Sequence, residues 1–147
     1  MLSITASLFE TKIPKFMYRS GPVQNIEMFV PKKPKKTHTK KSINSNIIYA
    51  SSDVNYAAGF CFDWSDIDGF SYGKYNDGPW TLEIPNKYIK FLDNVCSMYT
   101  LNGENFKKIN ITTPEYYSTC FEKVLNEKKF KNCYDCLNYY KVLYKII

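Results

Sequence analysis

Long apolar runs, histidine and phosphate-gripping glycine motifs are what this chain of 147 residues has least of. No stretch reaches the roughly 18 consecutive apolar residues that a membrane span requires, so no membrane partner is expected. The opening MLSITASLFETKIPK shows no basic region leading into an apolar core, and it is not expected to serve as a secretory signal. There is one histidine, His38, and no Ser-His-Asp series, P-loop or dinucleotide-binding glycine motif. That sets aside triad hydrolases and the familiar glycine-rich nucleotide folds.

Acidic residues are missing from one place in particular. PKKPKKTHTKK, residues 31–41, holds Lys32, Lys33, Lys35, Lys36, Lys40 and Lys41 and no acid, which equals the whole formal excess of +6. The rest of the chain is close to neutral. With Pro31 and Pro34 and no apolar periodicity, residues of about 31–45 are expected to form an exposed, mobile basic loop. A solvated loop is the default. Contact with nucleic acid or another acidic partner is the second reading, because lysine–phosphate contacts release counterions without any sequence code. Import into the nucleus of a eukaryotic host is the third.

Five cysteines make an odd number without regular spacing, which excludes a disulfide framework and points to reduced thiols in a cytoplasmic setting. Cys133 and Cys136 form a C-x-x-C pair. Zinc would need two more ligands, and the sequence offers neither a second pair nor a nearby histidine. Spacing of three on an amphipathic helix reads as packing, so no metal is expected. Asp63, Asp66 and Asp68 lack the later glutamate of a calcium loop.

What is present argues for one folded domain over residues 1–147. The hydrophobic fraction is 44% and the aromatic fraction 17%. Thirteen tyrosines and ten phenylalanines favour sheet, since aromatic side chains suit a pleated, half-buried surface. Strands are expected at 15–19, 46–50, 80–84 and 96–101. Ser51 or Ser52 can cap a helix carrying Val54, Ala57, Ala58 and Cys61 at helical spacing, with Asp53 in its first turn. Residues 63–79 read as a turn-rich loop. Residues 113–125 suit either state by residue type, and the spacing of Tyr117, Cys120, Phe121, Val124 and Leu125 leans towards helix. The tail places Cys133, Leu137, Tyr140 and Tyr144 on one helical stripe.

Taken in order, MYRSG, IYASSDVNYAAGF, MYTLNGENF and PEYYS form a series. It resembles small proteins of the ADP-ribosyltransferase superfamily. There, a first strand ends in Tyr-His-Gly or an arginine-containing equivalent. A second carries Tyr-x-(Ser/Thr) and leads into a helix with small residues, and a late strand brings a glutamate. The resemblance implies an α+β domain of two small packed β-sheets with peripheral helices.

It also implies NAD as substrate and ADP-ribose transfer to a macromolecular acceptor, a protein. Breaking the glycosidic bond of NAD builds oxocarbenium character on the ribose, so the site needs a carboxylate, a stacking surface and donors. By this resemblance Glu115 is the catalytic carboxylate. Arg19 and Ser20 meet the adenine-side ribose or diphosphate, Tyr49 stacks near nicotinamide, and Ser51 and Ser52 steady the cleft. The alternative is an inactive relative that binds protein or nucleic acid through the lysine loop.

Overall fold

The computed structural model describes residues 13–33, 45–65, 67–74, 76–109 and 111–147. Alternation of side chains along the strands organises everything that follows. In β1 (Phe16–Gly21), Met17 and Arg19 point to one face while Tyr18 and Ser20 point to the other. The remaining strands are β2 (Met28–Phe29), β3 (Ile48–Ser51), β4 (Ser71–Gly73), β5 (Thr81–Ile84), β6 (Cys96–Asn102), β7 (Lys107–Lys108), β8 (Glu115–Ser118), β9 (Glu122–Phe130) and β10 (Leu143–Ile146). Among the described residues, two short α-helices, α1 (Val54–Ala58) and α2 (Cys133–Tyr139), and a 3₁₀ helix over Asn86–Asp93 join them.

The class is therefore α+β, dominated by sheet. One sheet is larger than expected: seven strands in the order β2-β9-β6-β1-β3-β8-β7, every neighbouring pair antiparallel. The second has three strands, β10-β5-β4, with β10 parallel to β5.

Two apolar clusters occupy opposite faces of the large sheet. Met17, Ile48, Ala50, Tyr99, Leu101 and Tyr116 alternate onto one face, where Phe29 and Phe106 cover them. Met98, Cys96 and Phe130 point the other way, into a larger core shared with Leu82 and Ile84 of the small sheet and with both helices.

Residues 113–125 depart from the helical reading. Glu115–Ser118 is strand β8 and Glu122–Phe130 is strand β9. The apolar stripe that suggested a helix is not a core face, for Phe121 is 64% and Leu125 50% exposed. Alternation wins instead: Tyr116 and Ser118 are buried because β8 pairs with β3. The lysine-rich β9 is held in the sheet between β2 and β6 despite good helix-forming residues, an instance of tertiary pairing overriding local propensity.

The C-terminal stripe is also cut short. Lys141 takes a left-handed φ of 58°. Val142 N–H then bonds back to Leu137 and Lys141 N–H to Asn138, the pattern that closes a helix end. Tyr144 therefore lies on β10 rather than on the helix.

Helix α1 begins one residue later than expected. Asp53, with extended backbone, is the N-cap, and its carboxylate accepts from Asn55 N–H and Tyr56 N–H. The loop of residues 63–79 contains the short strand β4.

Candidate active site

The second and fourth stretches of the series lie side by side. In β3 and β8, Tyr49 stands opposite Tyr117 and Ser51 opposite Glu115, so these four residues share one sheet face. Tyr18 stands opposite Ser51 and belongs to the same face. Three segments far apart in sequence thus meet across adjacent strands β1, β3 and β8.

Ser51 is buried and acts as a local clasp. Its hydroxyl donates to the Pro114 carbonyl at 2.7 Å and accepts from Asp53 N–H at 3.0 Å. Ser52 is half-buried, and its N–H reaches the same Pro114 carbonyl at 3.3 Å. These bonds join the end of β3, the cap of α1 and the start of β8, where Glu115 emerges half-exposed. The Glu115 carboxylate accepts from Thr113 Oγ1 at 2.9 Å. The residue two before the glutamate is thus a hydroxyl donor to it.

Tyr56 of α1 completes the group. Burial and then the charge of the nearby Glu115 push its phenol well above the usual tyrosine range. Its ring lies 4.6 Å from that of Trp80 and 5.4 Å from that of Tyr72. Trp80 donates from Nε1 to Asp53 Oδ2 at 3.1 Å, and Tyr72 donates to the Tyr56 carbonyl at 2.8 Å. Gly59, at the end of α1, leaves room for this contact, since a Cβ there would overlap the Tyr72 ring. Lys74 Nζ sits 4.9 Å from the centre of the Trp80 ring. The result is a carboxylate flanked by an aromatic wall with a cation beyond it.

Arg19 is not part of this arrangement. Strand alternation turns it to the opposite face, where Nη1 donates to the Tyr49 carbonyl at 2.9 Å and the guanidinium lies 5.0 Å from the centre of the Phe29 ring. Burial there lowers its pKa. The expected nucleotide contact by Arg19 is therefore corrected: a seven-stranded sheet separates it from Glu115. Ser20 does point to the Glu115 side, but it is buried, and its hydroxyl donates to the Ala57 carbonyl, tying β1 to α1. Its place is in the scaffold rather than on a ligand-facing surface.

Of the lysine loop, Lys32 and Lys33 are exposed, and Lys32 pairs through its backbone with Ile47 at the loop's base. Lys35, Lys36, Lys40 and Lys41 lie outside the described residues. Asp66 of the acidic loop does so as well.

Sequence reasoning overlooked Tyr56, Tyr72, Trp80 and Lys74. For Tyr56 a signal existed, because it sits three residues after the capping Asp53 in a helix of small residues. For Tyr72, Trp80 and Lys74 none did, since strands β4 and β5 reach α1 only through the fold. No family model, curated protein or solved structure matches the chain.

Proposed function

We propose that this chain is an ADP-ribosyltransferase-like domain that takes NAD on the β3–β8 face and transfers ADP-ribose to a protein acceptor. One observation carries the reading. The Tyr-x-Ser strand and the glutamate strand are direct neighbours with Ser51 opposite Glu115, and the helix between them in sequence delivers Tyr56 to the same carboxylate.

In this reading the acceptor nucleophile attacks C1′ of the nicotinamide-bearing ribose. The C–N glycosidic bond breaks, and nicotinamide leaves as a neutral ring with the bonding pair. The acceptor's proton passes to Glu115 and then to water. Glu115 is most valuable when the ribose is cationic, so its stabilisation falls on the transition state rather than on the bound substrate. The Thr113 hydroxyl holds the carboxylate in one orientation, with the Tyr56 phenol close by. Tyr49 and Trp80 offer aromatic surface for the nicotinamide, and Lys74 takes the diphosphate role that Arg19 is turned away from.

The test is a calorimetric titration of NAD into the purified protein, followed by incubation of labelled NAD with host extract. Saturable binding and label carried onto protein are the expected results. A protein that neither binds nor consumes NAD, yet binds nucleic acid with steep salt dependence, would replace this reading with that of a binding module.

A further inference from the structure

Four of the five cysteines are fully buried, and they meet. Cys61 follows α1, Cys96 opens β6, and Cys133 and Cys136 lie on α2. The sulfurs of Cys61, Cys96 and Cys133 all lie within 4.8 Å of one another. Cys136, three residues along α2 from Cys133 and equally buried, is the next thiol beside this trio, though not within that distance of all three. The C-x-x-C pair on α2 therefore has two further thiols beside it that the sequence did not reveal, one from each of two distant segments.

We infer that Cys61, Cys96, Cys133 and Cys136 form a structural zinc site buried in the main core. The geometry of a tetrahedral Zn–S₄ centre supports the assignment. With Zn–S bonds of about 2.3 Å, neighbouring sulfurs stand about 3.8 Å apart, so Cys61, Cys96 and Cys133 need only a small contraction and Cys136 must swing in to close the site. An iron–sulfur cluster would hold its cysteines further apart to admit the inorganic core. Four thiolates with no histidine or carboxylate among them, and no open position, favour a structural ion over a catalytic one.

Chance clustering is the competing account, because free cysteine behaves as a small apolar core residue. It leaves unexplained why four thiols from three separate segments converge on one point while Cys120 stands exposed elsewhere. Binding is balanced simply: four S–H bonds break, four Zn–S bonds form, and four protons go to water. The ion would then pin the turn after α1, the start of β6 and α2 together. Because α1 carries Tyr56, the same ion would brace the scaffold of the candidate active site, whatever that site does.

The test uses the whole chain purified without chelator from zinc-supplemented cells. Elemental analysis is expected to find one zinc per chain, released in step with titration of the buried thiols by a mercurial. Replacement with cobalt should give intense tetrahedral d–d bands and thiolate-to-cobalt charge transfer. Cys120→Ser should leave zinc content and the cobalt spectrum unchanged, and Cys96→Ser should abolish or weaken both. If Cys96→Ser does not fold, the wild-type zinc content and cobalt spectrum still decide. Metal-free protein that takes up neither ion after reduction would overturn the assignment. So would stoichiometric iron, or a mass showing these cysteines joined as disulfides.

Discussion

Ser51 and Glu115 face each other across β3 and β8, and the Ser51 hydroxyl donates to the carbonyl of Pro114, the residue just before the glutamate. The serine that ends one motif therefore fixes where the next begins. Since that same hydroxyl accepts from Asp53 N–H, one side chain sets the relation between Glu115 and the helix bearing Tyr56. Chemistry placed on paired strands in this way is positioned more tightly than chemistry on a loop.

Glu115→Gln keeps the size and one acceptor oxygen of the side chain but removes its charge and turns the other oxygen into a donor amide. Transfer from labelled NAD is expected to fall about 10²–10⁴-fold, the range of a lost general base or transition-state charge. The dissociation constant for NAD, read by calorimetry, should change little. Undiminished transfer by the glutamine variant would remove Glu115 from the catalytic role.

Arg19→Ala and Lys74→Ala form a contrasting pair. Arg19 holds the Tyr49 carbonyl and lies against Phe29 on the face away from Glu115. Its removal should cost about 1–3 kcal/mol of stability in urea denaturation, with NAD affinity unchanged. Lys74→Ala should instead weaken NAD binding without lowering the unfolding midpoint. The reverse pattern would restore Arg19 to the nucleotide and take the role from Lys74.

Gly59→Ala places a methyl group where the Tyr72 ring sits against the end of α1. The ring cannot retreat easily, because its hydroxyl is tied to the Tyr56 carbonyl and its face packs near Trp80. A loss of about 1–3 kcal/mol is expected, as for other overpacked sites. Thermal unfolding followed by near-ultraviolet circular dichroism would detect it. An unchanged midpoint would mean that this contact is looser than described.

Alkaline pH should unfold the protein through its buried phenols. Burial, then the charge of Glu115, raises the Tyr56 pKa above the ordinary 10.0, and burial, then proximity to Tyr56, raises that of Tyr72. The folded state thus holds these protons more tightly than the unfolded chain does. The stability involved is complete below about pH 10 and is lost as pH rises towards the folded-state values. Phenolate absorbance should show a late class of tyrosines that titrates together with the loss of circular dichroism. Tyr56→Phe should shrink that class and flatten the alkaline loss of stability. Titration of every tyrosine near pH 10 with the fold intact would contradict it.

Local pattern by itself determined a good part of this protein. Aromatic and β-branched runs marked β1, β3, β5 and β6, and the spacing of Val54, Ala57 and Ala58 marked α1, because these patterns report the repeat of a strand or a helix within a few residues. The resemblance grouped Arg19, Tyr49, Ser51 and Glu115, and the fold brings the last three onto one face while Arg19 lies on the other. Only the tertiary structure decided the rest. Residues 113–125 suited either repeat and leaned towards helix, yet pairing with β3, β6 and β2 chose strands β8 and β9, since a hydrogen-bonding partner distant in sequence leaves no local trace. Arg19 and Ser20 were both expected at the nucleotide, whereas strand alternation sends them to opposite faces, and which face meets Glu115 depended on how three strands assemble. The meeting of Cys61 and Cys96 with the Cys133–Cys136 pair likewise exists only once two sheets and two helices close around a common core.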